Sequence, residues 1–118
     1  MSVFYSDKHI RILLDGECAV LGLSAYAIKE LKTIVFVNLP DAGEKIEAGK
    51  AFGDVESIKT VSDLIAPVSG VIAEVNDSLY DEPETLTAEN WLVKVSSFSL
   101  DRDSLMDEAH YGRYVEAL

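Results

Sequence analysis

Short apolar runs broken by turn signals dominate the chain, and they predict a mainly β protein. "IRILL" (Ile10 to Leu14) is followed by Asp15-Gly16, a favoured two-residue hairpin turn, and "CAVLGL" returns. Ser24 can cap a short helix over "AYAIKELK", placed after this second strand, with Ala27, Ile28 and Leu31 on one face. "IVFVNL" (Ile34 to Leu39) is a β-branched strand, ended by Pro40 and the loop "DAGEKIEAGK". "AFGDVES" is another strand, leading up to Lys59. Beyond it Pro67 and Ser69-Gly70 mark a turn or bulge, Val71 to Val75 forms the next strand, and "WLVKV" (Trp91 to Val95) the last. From Asp101 the period changes. Tyr111, Tyr114, Val115 and Leu118 recur at i, i+3, i+4 and i+7, which predicts a C-terminal amphipathic helix packed across the strands.

Residues 35 to 55 can be laid over residues 73 to 93 at a constant offset. Val37-Asn38 then matches Val75-Asn76, and Val55 matches Val93. Each copy reads as strand, polar loop, strand. Two such units would build a flattened β-barrel or sandwich with Lys59 between the halves.

Composition narrows the function. A chain of 118 residues suits one domain, spanning residues 1 to 118, with a real hydrophobic core. Ten Lys and Arg against 21 Asp and Glu give a net charge of -11, which disfavours nucleic acid and anionic membrane as partners. The opening "MSVFYSDKHIRILLDGE" does not read as a signal peptide, and no apolar run approaches the roughly 20 residues of a membrane helix, so a cytoplasmic location is expected. Cys18 stands alone and is read as a small buried hydrophobe. His9 and His110 lie near opposite ends, no Cys-His or His-His spacing suits a metal, and no phosphate-loop pattern occurs. Ser57 and Ser62 have no histidine beside them in sequence. These features point away from an enzyme, with no catalytic and no metal-binding residue assigned.

Lys59 is different. It is the only basic residue between Lys50 and Lys94, an interval with nine acidic ones. It reads either as a solubilising lysine on a turn or as a lysine presented for covalent modification from a tight hairpin. A free lysine amine is a poor nucleophile at neutral pH, so a modifying ligase would supply the activation and the carrier only the geometry. Sequence physics leaves these two readings close to even.

The run "GDVESIKTVSDLIAPVSGVIAEVN", with "IVFVNLPDAGEKIEAGKAFG" before it and "WLVKV" after, resembles the H protein of the glycine cleavage system, a lipoyl carrier. The resemblance extends from about His9 to the C-terminal helix. It implies a lipoyl-domain-like hybrid barrel-sandwich, with lipoate joined covalently to Lys59. It also implies that Glu56 and Gly70 serve recognition by the lipoate ligase or lipoyltransferase, and that Asp63 stands near the docked end of the arm. In such proteins the arm takes an aminomethyl group from glycine decarboxylase, presents it to aminomethyltransferase, and is reoxidised by dihydrolipoyl dehydrogenase.

Two departures stand out. Where the family carries S-H-E-W, whose Ser and Glu hold the loaded arm's amine, this chain has Lys8-His9-Ile10-Arg11. An apolar Ile10 cannot make a charge-assisted hydrogen bond to an ammonium. The family's P-Y-G-x-G-W lead-in is shortened to "TAENWL" before the last strand. Together they suggest a divergent H-like branch in lipoate relay or an ADP-ribosylation-linked redox response, with macrodomain and sirtuin partners. A biotin carrier is disfavoured, because Ile58-Lys59-Thr60 replaces the Met-Lys-Met expected around biotinyl-lysine. An unmodified β-barrel interaction module is the remaining alternative.

Overall fold

The computed structural model describes residues 2–118. Among the described residues nine strands form two open antiparallel sheets. They are β1 (Ser2–Tyr5), β2 (Ile10–Asp15), β3 (Cys18–Leu23), β4 (Ile34–Asn38), β5 (Lys45–Ile46), β6 (Ala51–Ser57), β7 (Val61–Ile65), β8 (Ser69–Val75) and β9 (Val93–Ser99). The larger sheet runs in the order β1-β2-β3-β9-β8-β5 and the smaller in the order β4-β6-β7. Neither closes on itself, so the architecture is the sandwich form of the expected barrel-sandwich. Three helices complete it: α1 (Ala25–Leu31), α2 (Ser78–Asp81) and α3 (Glu108–Glu116).

The two sheets share one core, built from the inward positions of alternating strands. Ile10 and Ile12 on β2, Leu21 and Leu23 on β3, and Val93 and Val95 on β9 face Val37, Val55 and Leu64 of the smaller sheet. The internal repeat is visible as pairing. Val37 lies opposite Val55 in β4–β6, and Val75 lies opposite Val93 in β8–β9, so each copy is one antiparallel pair in the same register.

Several expectations shift. The first hairpin turns at Gly16-Glu17, since Asp15 pairs with Cys18; Gly16 takes the left-handed φ of +60° that this position favours glycine for. Strand β1 precedes it, so α1 follows the third strand and not the second. The loop "DAGEKIEAGK" contains β5, and the stretch before Val71 contains β7. The last strand starts two residues later than "WLVKV" suggests. Cys18 is half-buried, not enclosed. Of the C-terminal stripe only Tyr111 is fully buried; Tyr114 and Val115 are half-buried and Leu118 stays 63% exposed, so α3 docks mainly through Tyr111.

Candidate functional site

The last register pair of the β6–β7 hairpin is Glu56 with Val61, which leaves Ser57 to Thr60 as the turn. Ser57 is buried and its hydroxyl and amide close the loop on both sides. The Ser57 amide donates to the Thr60 carbonyl at 2.8 Å, the Ser57 hydroxyl donates to the same carbonyl at 3.2 Å, and the Thr60 amide donates to Ser57 Oγ at 3.2 Å. The Ile58 amide reaches back to the Thr33 carbonyl at 3.2 Å, anchoring the tip to the chain entering β4. Ile58 and Lys59 project from this anchored tip, both exposed. Among the described residues the ion pairs are Lys50–Glu47 and Lys94–Glu74, and Lys59 makes none.

Glu56 is exposed on the outer face of the smaller sheet, one residue from the end of β6, between Phe36 of β4 and Val61 of β7. Asp63 is exposed on β7 and lines the rim of a cleft of about 160 Å³ between that strand and α1. Strand rise of ~3.3 Å per residue sets Asp63 roughly 7 Å along β7 from Val61, where the turn carrying Lys59 ends. Gly70 lies elsewhere, on β8 opposite Ile46 in the larger sheet. A Cβ there would stand 2.6 Å from Val95 Cγ1 and 2.8 Å from the Ser96 carbonyl oxygen, so the glycine lets β8 and β9 approach. The structure therefore groups Lys59, Glu56 and Asp63 on one hairpin and gives Gly70 a packing role apart from them.

Further residues complete the cleft: Tyr26 and Glu30 on α1, which the sequence did not single out, together with Ser62 on β7 and His9. Tyr26 and Glu30 are four apart, so a helix brings both to one face; that spacing was the available signal. Burial pushes the His9 imidazole below its usual range, keeping the neutral form, with Asp7 and Glu30 opposing and Lys8 reinforcing. His9 Nδ1 lies 2.6 Å from the Tyr111 hydroxyl, which also lies 2.7 Å from Ser24 Oγ. Burial raises the Tyr111 phenol, so it stays protonated at neutral pH. This relay ties the cleft wall, the cap of α1 and the C-terminal helix into one hydrogen-bonded unit.

The two departures have structural outcomes. Ile10 is 1% exposed and belongs to the core. The shortened stretch before β9 is clamped by side chains. Arg11 donates to the Asn90 carbonyl at 2.9 Å, and Asn76 donates to the Trp91 carbonyl at 2.8 Å and to Asn90 Oδ1 at 3.1 Å. No group of three His, Cys, Asp or Glu side chains among the described residues is arranged to hold a metal. No helix among them is long and apolar enough to cross a membrane.

Comparison with known proteins follows the same lines. The family model for the glycine cleavage H-protein matches residues 3–118. The glycine cleavage system H protein of Herpetosiphon aurantiacus is 41% identical over 96% of this chain and 90% of its own length. That of Bacteroides fragilis is 40% identical over 98% and 96%. The crystal structure of a glycine cleavage system H protein from Mycobacterium marinum superimposes with a TM-score of 0.88 at 34% identity, covering 98% of this chain and 97% of that one. These relatives lend nothing to the lipoate-relay reading or to macrodomain and sirtuin partners. With a matched model over almost its full length and the same fold in a solved relative, the chain belongs to the glycine cleavage H-protein family.

Proposed function

We infer that the chain is the lipoyl carrier of a glycine cleavage system, with lipoate in amide linkage to Lys59 and no catalytic centre of its own. The observation that carries this reading is the geometry of Lys59: an exposed, unpaired ammonium on a turn that buried Ser57 holds shut. The chain's contribution is presentation. The β6–β7 ladder fixes the base of the arm, and Glu56 stands beside it on the face that a ligase would meet. Asp63, Glu30 and Ser62 offer acceptors in the neighbouring cleft, where a cationic group at the arm's end could be held. When bound, lipoate supplies a dithiol–disulfide pair that carries the aminomethyl group. The partners on this reading are a lipoate ligase or lipoyltransferase, glycine decarboxylase, aminomethyltransferase and dihydrolipoyl dehydrogenase. Gly70 acts through β8–β9 packing and not by direct contact with the ligase.

Intact mass after incubation with lipoate, ATP and a lipoate ligase tests the attachment. One lipoyl increment is expected on the wild type and none on Lys59→Arg. An unmodified wild type would refute the reading. Exchange of labelled bicarbonate into glycine with glycine decarboxylase tests the pathway, and a loaded carrier that supports none would refute the glycine cleavage assignment.

A further inference from the structure

His9 is half-buried where the turn before β2 meets α1 and α3. Its carbonyl accepts from the Ser24 amide at 3.0 Å, which pins the residue to the entry of α1. Its ring lies 4.8 Å from that of Tyr26 on α1, and 5.8 and 6.1 Å from those of Tyr111 and Tyr114 on α3, between centroids. The hydrogen-bonded relay through this cluster has a direction. The Ala27 amide donates to Ser24 Oγ, and the Ser24 proton is left to the Tyr111 oxygen. The Tyr111 proton then goes to His9 Nδ1. Every donor is used when Nδ1 is bare and the ring carries its proton on Nε2. A proton on Nδ1 turns the chain around. His9 then donates to Tyr111 and Tyr111 to Ser24, and the Ser24 proton, in a residue 1% exposed, has no acceptor among the described residues. A buried donor without a partner is costly, so protonation of His9 works against the contact that seats Tyr111 on the cap of α1.

Charge changes in the same step. The charged side chains that line the cleft with His9 are Lys8, Glu30 and Asp63, two carboxylates against one ammonium. Asp7, on the turn before β2, is the other charged group acting on the ring, and Tyr26, Tyr111 and Tyr114 are its titratable neighbours from the two helices. With His9 neutral the cleft keeps an excess of negative charge and suits a cation. With His9 protonated that excess is cancelled, and a second cation stands in the wall. We propose that His9 is a titratable positioning residue of the cleft, which holds the cationic end of the loaded arm while His9 is neutral and releases it when His9 takes a proton. The inference rests on the reading of the cleft as the place where the arm's end docks. Repulsion between imidazolium and ammonium and the loosened wall of α1 act in the same sense. The coupling is reciprocal: a docked cation disfavours protonation of His9 by the factor with which protonation weakens docking. Burial already keeps the imidazole below its usual range. Holding therefore prevails at neutral pH, and release belongs to the acid side.

The test uses the full-length lipoylated protein, loaded with glycine and glycine decarboxylase and then separated from that enzyme. Once the arm's end leaves the cleft, water hydrolyses the aminomethyl thioether: the C–S and C–N bonds break, and free thiol, formaldehyde and ammonium form. Formaldehyde release therefore reports undocking. From about pH 7.5 to about pH 5.5 the wild-type rate should rise at least about five-fold more than that of His9→Asn, which stays uncharged. The pH dependence of the hydrolysis itself is common to both and cancels in the ratio. Tyr111→Phe keeps the imidazole but cuts the relay; it should release faster than the wild type already at about pH 7.5 and show the smaller rise in acid. Melting at the same pH would show both variants folded. NMR of the His9 ring gives an independent readout, with a titration midpoint at lower pH in the loaded protein than in the unlipoylated one. A His9→Asn rise within about two-fold of the wild type's, or a His9 midpoint unmoved by loading, would overturn the proposal while leaving the cleft as the docking place. A loaded wild type that releases formaldehyde as fast as aminomethylated dihydrolipoamide free in solution would show that the arm does not dock, and would remove the reading beneath it.

Discussion

Gly53 and Gly70 occupy positions where the backbone of a neighbouring strand leaves no room for a methyl group. A Cβ on Gly53 would collide with the Asn38 carbonyl oxygen, and one on Gly70 with Val95 and the Ser96 carbonyl. Gly70→Ala should therefore lower stability by on the order of 1–3 kcal/mol, read from the urea midpoint. Its rate of lipoylation per folded molecule should stay at the wild-type value, which separates a packing role from direct recognition. His9 makes a second prediction at this scale. Its folded-state pKa is lowered, so the folded protein resists a proton that the unfolded chain accepts near ~6.5. Stability is complete above that value and is lost as pH falls from ~6.5 through the lowered folded value. His9 has φ 70°, and asparagine tolerates that conformation best among the non-glycine residues. Melting of His9→Asn compared with wild type between about pH 7.5 and 5.5 should show the larger acid-side loss in the wild type. The carboxylates respond alike in both proteins and cancel in the difference.

Helix α1 shows how an element can be legible at one end and opaque at the other. Ser24 is readable as its cap, and its side chain accepts from the Ala27 amide at 3.1 Å. Nothing in the sequence marks its end, because Lys32 takes φ 63° and ψ -110° where glycine would be expected. Lys32→Gly should raise stability by ~0.5–1 kcal/mol, measured by urea unfolding, since it relieves a conformation costly for a side chain. The strands divide in the same way. Those with β-branched or alternating runs, β2, β3, β4 and β6, stand near their expected places. β1 and β5 are too short to show a period, with four and two residues, and only their partners β2 and β8 define them. The repeat was legible as spacing and proves to be register, Val37 to Val55 and Val75 to Val93. The bulge at Val35, an extra residue between the Ile34–Ser57 and Phe36–Glu56 pairs, was not, because "IVFVN" reads as apolar whichever way each side chain faces.

At the scale of the molecule Lys59 stands on the hairpin of the three-stranded sheet, while the six-stranded one contributes more residues to the supporting core. The isolated lysine was visible as a gap in the cations along an acidic chain. The cleft beside it was not, since α1, β7 and His9 converge only when the sheets close over the core. The turn at Ser57–Thr60 carries one more consequence, and it is entropic. Fixing the backbone of a mobile residue costs ~1–2 kcal/mol each. Here Ser57 and the Thr33 carbonyl have already ordered the tip during folding. An enzyme that grips Ile58, Lys59 and Thr60 meets them in a single conformation, whereas a free peptide of the same sequence would oppose it with the whole ordering cost. On the proposed reading, the rigidity of the turn thus belongs to the recognition signal as much as the lysine does.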